Sequence, residues 1–258
     1  MRNLTLALGL LVAAAPLAAQ ETRFTKEMST GSRLVIENIN GEVRATQGTG
    51  RTAEIIVTKT VKRGDGDLVK AVMEESGGEV RVCTIYLNRN PNRTGCKDNG
   101  HNDDNWRGKD RLEVTMQYEV RVPAGVRLNV ETVNGGIVIT GVESEVRAET
   151  VNGSLEFDGA NATSLSTVNG QVRATFSRAN WEGTLNVETV NGGVDLTFPA
   201  NFAAEISGET VNGGVTTAFP ITIEGKWGPK SFRGTIGSGG GRSLKIETVN
   251  GGITLRKR

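Results

Sequence analysis

The chain has 258 residues, and its 30 Lys and Arg residues almost balance its 29 Asp and Glu residues. This balance provides no basic surface for nucleic acid or for an anionic membrane, so neither is predicted as a partner. Glycine is abundant at 34 residues and aromatic residues make up 5%. Such a composition is typical of a chain with many turns and a narrow aliphatic core.

Residues 1–19 are predicted to be a signal peptide. Arg2 provides the positive charge, residues 4–15 are apolar, and small residues lead to a cleavage point after Ala19. An apolar run of about twelve residues is too short to span a bilayer. We therefore expect an exported protein without a membrane span, in the periplasm or at the cell surface.

A lead, residues 20–32, is followed by a first coil and a β-rich insertion, residues 33–126. Apolar alternation in the insertion predicts strands at 53–61, 79–87 and 111–122. The helical spacing of Leu68, Val72 and Met73 predicts a short helix at 67–75.

A polar, Asn-rich segment, residues 88–110, predicts an exposed loop. Cys83 and Cys96 fit an oxidising compartment and are predicted to pin this loop as a disulfide. A metal-binding cysteine pair is the alternative, but further thiol or imidazole ligands are lacking.

Residues 127–258 are organised by the string Glu-Thr-Val-Asn-Gly-Gly and its variants. Its asparagines, with one upstream counterpart, are Asn40, Asn134, Asn152, Asn169, Asn191, Asn212 and Asn250. From Asn134 onward the steps are 18, 17, 22, 21 and 38 residues, the last equal to two steps of 19. A fixed period near twenty predicts stacked units. Residues 220–243 then form either a degenerate repeat or a protruding loop.

The apolar residues around each asparagine keep one parity, which predicts two half-buried strands separated by Asn-Gly. Asn and Gly tolerate the left-handed backbone that a sharp corner needs. A series of Asn-Gly hairpins is the alternative. The fixed offsets of Thr, Val, Asn and Gly favour in-register stacking and an asparagine ladder. We therefore predict an all-β fold, a single-stranded parallel β-solenoid, right-handed by the crossover preference, with an irregular N-terminal insertion.

The segments LVIENINGEV and EVRVPAGVRLNVETVNGG and the iterated TVNG repeats resemble the bacterial putative-adhesin family, a domain family of unknown function. The resemblance covers roughly residues 30–256 and implies an extracytoplasmic β-solenoid. It carries over no catalytic residue, because the family defines none. The Cys83–Cys96 loop and the segment around Trp227 depart from the family pattern.

Glutamate recurs three residues before the asparagine, where only the repeat of Asn169 has serine instead. The column consists of Glu37, Glu131, Glu149, Glu188, Glu209 and Glu247. Its parity is opposite to that of the core, so it should face solvent, either as a solvated face or as a carboxylate ladder for divalent cations or cationic partners. We expect Glu188 and Glu209 to be neighbours that repel each other, with Arg147 and Lys245 as nearby basic residues.

Exposed aromatic residues could stack on sugar rings, and Trp181, Trp227 and Phe232 are the candidates. For Trp181 a structural role at a coil edge is favoured. Trp227 lies in an atypical basic segment and either binds a ligand or plugs an end. His101, in a polar loop without a recognisable catalytic motif, is interpreted as solvated.

No catalytic, cofactor-binding or metal site is predicted. The predicted function is a non-catalytic scaffold of the cell envelope, adhesin-like or structural, with an envelope protein or a glycan as partner. A polysaccharide-binding or polysaccharide-processing β-helix protein is the alternative, since stacked carboxylates could meet the separation of about 5–5.5 Å in retaining glycosidases. A deep groove with an asymmetric cluster of Asp, Glu, Arg or Lys would favour the enzyme, and a flat uniform face would favour the scaffold.

Overall fold

The computed structural model describes residues 20–87, 91–97, 112–225, 228–239 and 241–258. This part of the chain is all-β, with a single three-residue 3-10 turn at Gly66–Leu68. None of its segments is a helix of the length and apolarity that crossing a membrane requires. The strands are β1 (Gln20–Glu27), β2 (Arg33–Glu37), β3 (Val43–Gln47), β4 (Thr52–Arg63), β5 (Val69–Ser76), β6 (Glu79–Tyr86), β7 (Glu113–Val122), β8 (Arg127–Asn134), β9 (Ile137–Asn152), β10 (Leu155–Asn169), β11 (Val172–Phe176), β12 (Gly183–Asn191), β13 (Val194–Phe198), β14 (Ala204–Thr210), β15 (Val215–Thr217), β16 (Thr222–Glu224), β17 (Lys230–Ile236), β18 (Arg242–Asn250) and β19 (Ile253–Lys257).

Each Asn-Gly step joins two strand segments that pair with other repeats and not with each other. The segment before Asn134, β8, lies parallel to the second half of β9, so that Asn134 is opposite Asn152. The segment after Asn134, the first half of β9, lies parallel to β3 and to the first half of β10. Neighbouring repeats are therefore parallel and in register, and the hairpin alternative is wrong.

The core lies between the segments that precede the asparagines and those that follow them. In the repeat of Asn134, Leu128 and Val130 point inward before the step, and Ile137 and Ile139 point inward after it; all four are at most 1% exposed. Burying each aliphatic side chain contributes about 1.5–3 kcal/mol. The parity in the sequence therefore identified the inward positions.

The predicted left-handed backbone at Asn-Gly is found only at Gly41, where φ is 127°. At the other steps the first glycine is required by close stacking. A Cβ on Gly170 would lie 2.0 Å from the carbonyl oxygen of Gly153, and a Cβ on Gly153 would lie 2.1 Å from that of Gly135. Only glycine lets the repeats approach this closely.

The order of the repeats in space differs from their order in the sequence. The last repeat, β18–β19, lies between β12–β13 and β14–β15. Residues 220–243 form neither a degenerate repeat nor a simple loop. They contribute β17, which runs antiparallel along the outer edge of β14, and β16, which pairs antiparallel with β17. The repeats predicted over 127–258 are therefore interrupted by an antiparallel pair and do not stack in the order of the sequence.

The opposite end of the stack is built in a similar way. The first repeat, β2–β3, lies between β6–β7 and β8–β9. Antiparallel strands then cover the end: β5 pairs with β6, β4 with β7, and β1 with β4. Antiparallel strands thus cover β6 and β7 at this end and β14 at the other, which protects edges that would otherwise template aggregation.

The strands predicted at 53–61, 79–87 and 111–122 are found as β4, β6 and β7. The helix predicted at 67–75 is wrong, because Val69–Ser76 is β5 and pairs along its length with β6. Val72 packs beside Cys83, while Met73 packs against the main core. Both faces of this segment are used, and strand pairing overrides the helical spacing.

Cys83 and Cys96 are joined in a disulfide, with their Cα atoms 5.6 Å apart. It connects β6 to the residues described at 91–97. The predicted signal peptide, His101 and Trp227 lie outside the residues that the structure describes.

Candidate functional site

The most regular surface of the molecule is the outer side of the strand segments that end at the asparagines. We call it the Glu–Val face. Two columns form it, a glutamate column of seven positions and a valine column of six, because the repeat of Asn40 has Ile39 at the valine position. In spatial order they are Glu37, Glu131, Glu149, Ser166, Glu188, Glu247 and Glu209, and beside them Val133, Val151, Val168, Val190, Val249 and Val211.

The six valines of this face are between 38% and 41% exposed and are nearly all of the large exposed hydrophobic side chains among the described residues. Successive valines lie one strand spacing apart, about 4.8 Å, so the stripe runs for roughly 24 Å. A single exposed valine needs no explanation, but a contiguous stripe is characteristic of an interaction surface.

The Glu–Val face is supported from beneath by threonine. Thr150 and Thr167 each donate the side-chain hydroxyl to the glycine carbonyl oxygen of the neighbouring repeat at 2.8 Å. The same bond recurs in the repeats of Thr189, Thr248 and Thr210. Because these threonines are at most 5% exposed, each bond satisfies a buried polar group and fixes the spacing between repeats.

An asparagine ladder runs along the edge of the Glu–Val face. Each side-chain amide donates to the side-chain oxygen of the next asparagine at 2.8–2.9 Å, in the order Asn212, Asn250, Asn191, Asn169, Asn152, Asn134 and Asn40. Asn40 ends the ladder by donating to the Tyr86 hydroxyl at 2.9 Å. All the amide dipoles point the same way, so the bonds reinforce one another. The face is therefore rigid.

The charges of the glutamate column are only partly neutralised. Arg81 pairs with Glu37, Arg147 with Glu149, and Lys245 with Glu247. Within the described residues, Glu131, Glu188 and Glu209 form no ion pair. The face is thus acidic beside its apolar stripe.

Lys245 responds to this acidic environment. The hydrogen bond and charge of Glu247 raise the pKa of Lys245 above its usual value, and the charges of Glu188 and Glu209 raise it further. The expected neighbour pair of Glu188 and Glu209 is wrong, because Glu247 lies between them. Lys245 therefore interacts electrostatically with three carboxylates.

A shallow depression of about 470 Å³ lies on the Glu–Val face, between Glu37 and Val168. Ser166 contributes to its wall where the glutamate column is interrupted. The depression is lined by residues of the repeating columns of this face, and its lining contains no asymmetric cluster of acid and base.

A larger groove, about 750 Å³, lies near the β5–β6 turn and is lined by charged residues of both signs. Its cations include Arg33 and Arg81, and both pair with Glu79, at 3.5 Å and 2.7 Å. Glu75 pairs with Lys26 at 2.5 Å outside the groove. Two of the carboxylates that line the groove, Glu75 and Glu79, are thus held in ion pairs, and Glu74 also lines it.

The remaining candidates from the sequence are buried or lie outside the described residues. Trp181 is 1% exposed and donates its ring N–H to the Ser243 carbonyl oxygen at 3.0 Å. Phe232 is 3% exposed. Neither is exposed for stacking on a sugar. For Trp181 this burial agrees with the structural role favoured from the sequence, and for Phe232 the candidate role in sugar stacking is wrong. Among the residues described, no group of three or more His, Cys, Asp or Glu side chains could hold a metal ion.

The sequence interpretation did not identify the valine stripe or the residues that end the ladders. The stripe could have been found, because valine shares the outward parity of glutamate two residues earlier. Arg81 and Tyr86 could not, because they belong to the insertion and reach this face only through the pairing of β6 with β2.

Comparison with solved structures finds matches at low sequence identity. A "putative cell adhesion protein" from Clostridium sporogenes is 11% identical, with a TM-score of 0.50 over 93% of this chain and 100% of that one. A "putative adhesin" from Bacteroides fragilis is 10% identical, with a TM-score of 0.35 over 94% and 99% of the two chains. A "putative lipid binding protein" from Parabacteroides distasonis is 11% identical, with a TM-score of 0.33 over 92% and 96%. No family model and no curated protein matches the chain. The first likeness extends to the fold alone.

Proposed function

We propose that this protein is a non-catalytic, adhesin-like scaffold of the cell envelope, exported as a right-handed parallel β-solenoid, whose Glu–Val face binds an envelope protein or a glycan. The observation that carries the proposal is the valine stripe, because solvent-exposed valine is repeated in register beside a column of carboxylates that cations only partly neutralise. A rigid face of this kind presents binding groups without an ordering cost at the moment of binding.

The regularity of the face supports binding over catalysis. An active site needs side chains in unlike environments that divide the roles of acid and base. On the Glu–Val face glutamate and valine recur at the same two positions of the repeat, with Ser166 and Ile39 as the exceptions. In the charged groove Arg33 and Arg81 pair with Glu79. The likeness to the Clostridium sporogenes protein is compatible with this function.

The proposal is tested by capturing partners from bacterial envelope extracts and on a glycan array with the mature protein, residues 20–258. The test variant carries Val133→Thr, Val151→Thr and Val168→Thr, which keep the β-branched shape and replace one methyl group with a hydroxyl. We expect it to lose most of the captured protein or glycan, since apolar contact area is lost in three adjacent repeats.

Ile223→Thr is the matched control, because Ile223 is 40% exposed on β16, away from the stripe. It should bind like the wild type. Equal binding by the triple variant and the wild type would exclude the Glu–Val face as the binding surface. Release of soluble sugar from the array by the wild type would exclude the non-catalytic function.

A further inference from the structure

The last repeat of the chain fills an interior position of the stack. β18 pairs with β12 on one side and with β14 on the other, and β19 pairs with β13 and β15. Its four inward residues, Leu244, Ile246, Ile253 and Leu255, are at most 1% exposed. The C-terminal repeat is therefore part of the core, although it follows both of its spatial neighbours in the sequence.

The interior position accepts only a repeat that carries Thr and Asn-Gly at the same offsets as its neighbours. The side chain of Asn250 donates to Asn191 at 2.8 Å and accepts from Asn212 at 2.9 Å. Thr248 donates to the Gly192 carbonyl oxygen at 3.0 Å, and the Gly251 carbonyl oxygen accepts from Thr210 at 2.8 Å. A strand with Thr and Asn-Gly at other offsets would leave these groups unpaired. Only a repeat in this register completes the stack.

The connection to this repeat is short and rich in glycine. β17 ends at Ile236 and β18 begins at Arg242. Between them Gly237, Gly239 and Gly241 have φ values of 59°, 74° and 66°, a region that other residues rarely adopt. Glycine adopts left-handed and extended backbone about equally readily, so this hinge can open and carry the segment beyond it to another copy.

We propose that the C-terminal repeat, β18–β19, is donated between two copies of this chain, so that each copy fills the interior position of the other. The exchanged dimer contains the same contacts as the closed monomer, with only the hinge changed. Strand donation into an open sheet is an established mode of assembly. A tethered repeat has an effective concentration of order millimolar for its own chain, so exchange occurs when copies fold together at high concentration.

The test uses two full-length variants with different mass labels. Thr184 and Ser243 are register partners on neighbouring strands, so a Thr184→Cys chain and a Ser243→Cys chain can form a disulfide with each other only if the last repeat of the second enters the first. The two proteins are unfolded together in urea at acid pH, where thiols do not exchange, and are then refolded concentrated and oxidised. We expect a doubly labelled, disulfide-linked dimer that increases with protein concentration.

A mixture of Thr184→Cys with Thr140→Cys is the control, since Thr140 pairs with Asp158 and Thr46 and not with Thr184. It should give several-fold less doubly labelled dimer. A second control carries Thr184→Cys and Ser243→Cys in one chain, oxidised as a monomer, and should no longer dimerise. The proposal is overturned by equal yields in the two mixtures, by a locked monomer that still dimerises, or by wild type that stays monomeric after concentrated refolding.

Discussion

Asn250 donates its side-chain amide to Asn191 at 2.8 Å across 59 residues of sequence, although Asn212 is nearer to Asn191 along the chain. Asn212 instead donates to Asn250 at 2.9 Å. The last repeat thus separates two repeats that are consecutive in the sequence. This interleaving ties the C-terminus into the interior of the fold through contacts of long sequence separation, which form late in folding.

The asparagine ladder should contribute unequally along its length. Asn169→Ala removes two side-chain hydrogen bonds, to Asn152 and from Asn191. Asn212→Ala removes one, to Asn250. At about 0.5–1.5 kcal/mol for each bond, the internal variant should lose about twice the free energy of unfolding lost by the terminal variant, measured by urea denaturation. Equal losses would show that the amides act independently of the ladder.

The first glycine of each motif should tolerate no side chain. A Cβ at position 170 would lie 2.0 Å from the Gly153 carbonyl oxygen, whereas a Cβ at position 214 meets nothing within 4 Å. We expect Gly170→Ala to cost about 3 kcal/mol or more, because backbone must move, and Gly214→Ala to cost less than about 1 kcal/mol. Thermal unfolding distinguishes the two. Similar melting temperatures would contradict the stacking distance.

The parity of Leu128, Val130 and Thr132 identified the strands and the inward residues, because alternation is a local property of the sequence. The order of the repeats was beyond the same reasoning. β14 and β18 carry the same motif, and either could pair with β12 in the same register. The local sequence pattern therefore does not determine which of them is the neighbour of β12. The choice depends on the connection, where β17 covers β14 and buries Phe232.

Only part of the Glu–Val face could be predicted from the sequence. The outward glutamates were recognised by parity, but their neighbours depend on the repeat order, so Glu209 was placed beside Glu188 and not beside Glu247. Arg81 could not be placed, because its approach to Glu37 depends on the parallel pairing of β6 with β2. Such pairings join distant segments and leave no periodic signal.

The disulfide should stabilise the insertion. Cys83 and Cys96 close a loop of about fourteen residues, which stabilises by roughly 3 kcal/mol in the chain-entropy model. Cys83→Ser with Cys96→Ser should therefore lower the free energy of unfolding by about this amount in urea. Intact-mass measurement before and after alkylation of the purified protein checks the bond itself, and two alkylated thiols would contradict it.

Tyr118 should make the fold sensitive to alkali. Its ring is 1% exposed and its hydroxyl lies 2.7 Å from the Thr84 hydroxyl, which donates to Asn38. Burial raises the pKa of Tyr118 well above its usual value. The raised pKa means that the stabilisation is fully present below the unfolded value of about 10 and is lost as the pH rises above it.

Tyr118→Phe is expected to lower the free energy of unfolding at pH 7 by about 0.5–1.5 kcal/mol, since the hydrogen bond with Thr84 is lost. Between pH 9 and 11 the wild type should lose stability faster than the variant, so the difference between them should shrink (the unfolded tyrosine ionises near pH 10). Denaturation curves across this range measure it. Parallel pH profiles for the two proteins would contradict a neutral buried tyrosine.

Lys245 should stabilise the fold by reducing the repulsion among the glutamates at one end of the Glu–Val face. It pairs with Glu247 at 2.5 Å, and the charges of Glu188 and Glu209 also raise its pKa. Lys245→Met leaves three carboxylates in adjacent strands without a cation, and like charges at this spacing repel. We expect the variant to melt below the wild type at low ionic strength and the gap to narrow as salt screens the column.

Divalent cations should replace the lost ammonium group. Calcium should raise the melting temperature of Lys245→Met by more than it raises that of the wild type, because the variant alone leaves all three carboxylates uncompensated. Lys245→Arg keeps the charge and should behave like the wild type. Adding Glu247→Gln to Lys245→Met removes the central carboxylate, so it should restore much of the stability and reduce the calcium effect. Melting temperatures that are the same in calcium and in chelator for Lys245→Met would show that water alone solvates these glutamates and that the column is no ladder for cations.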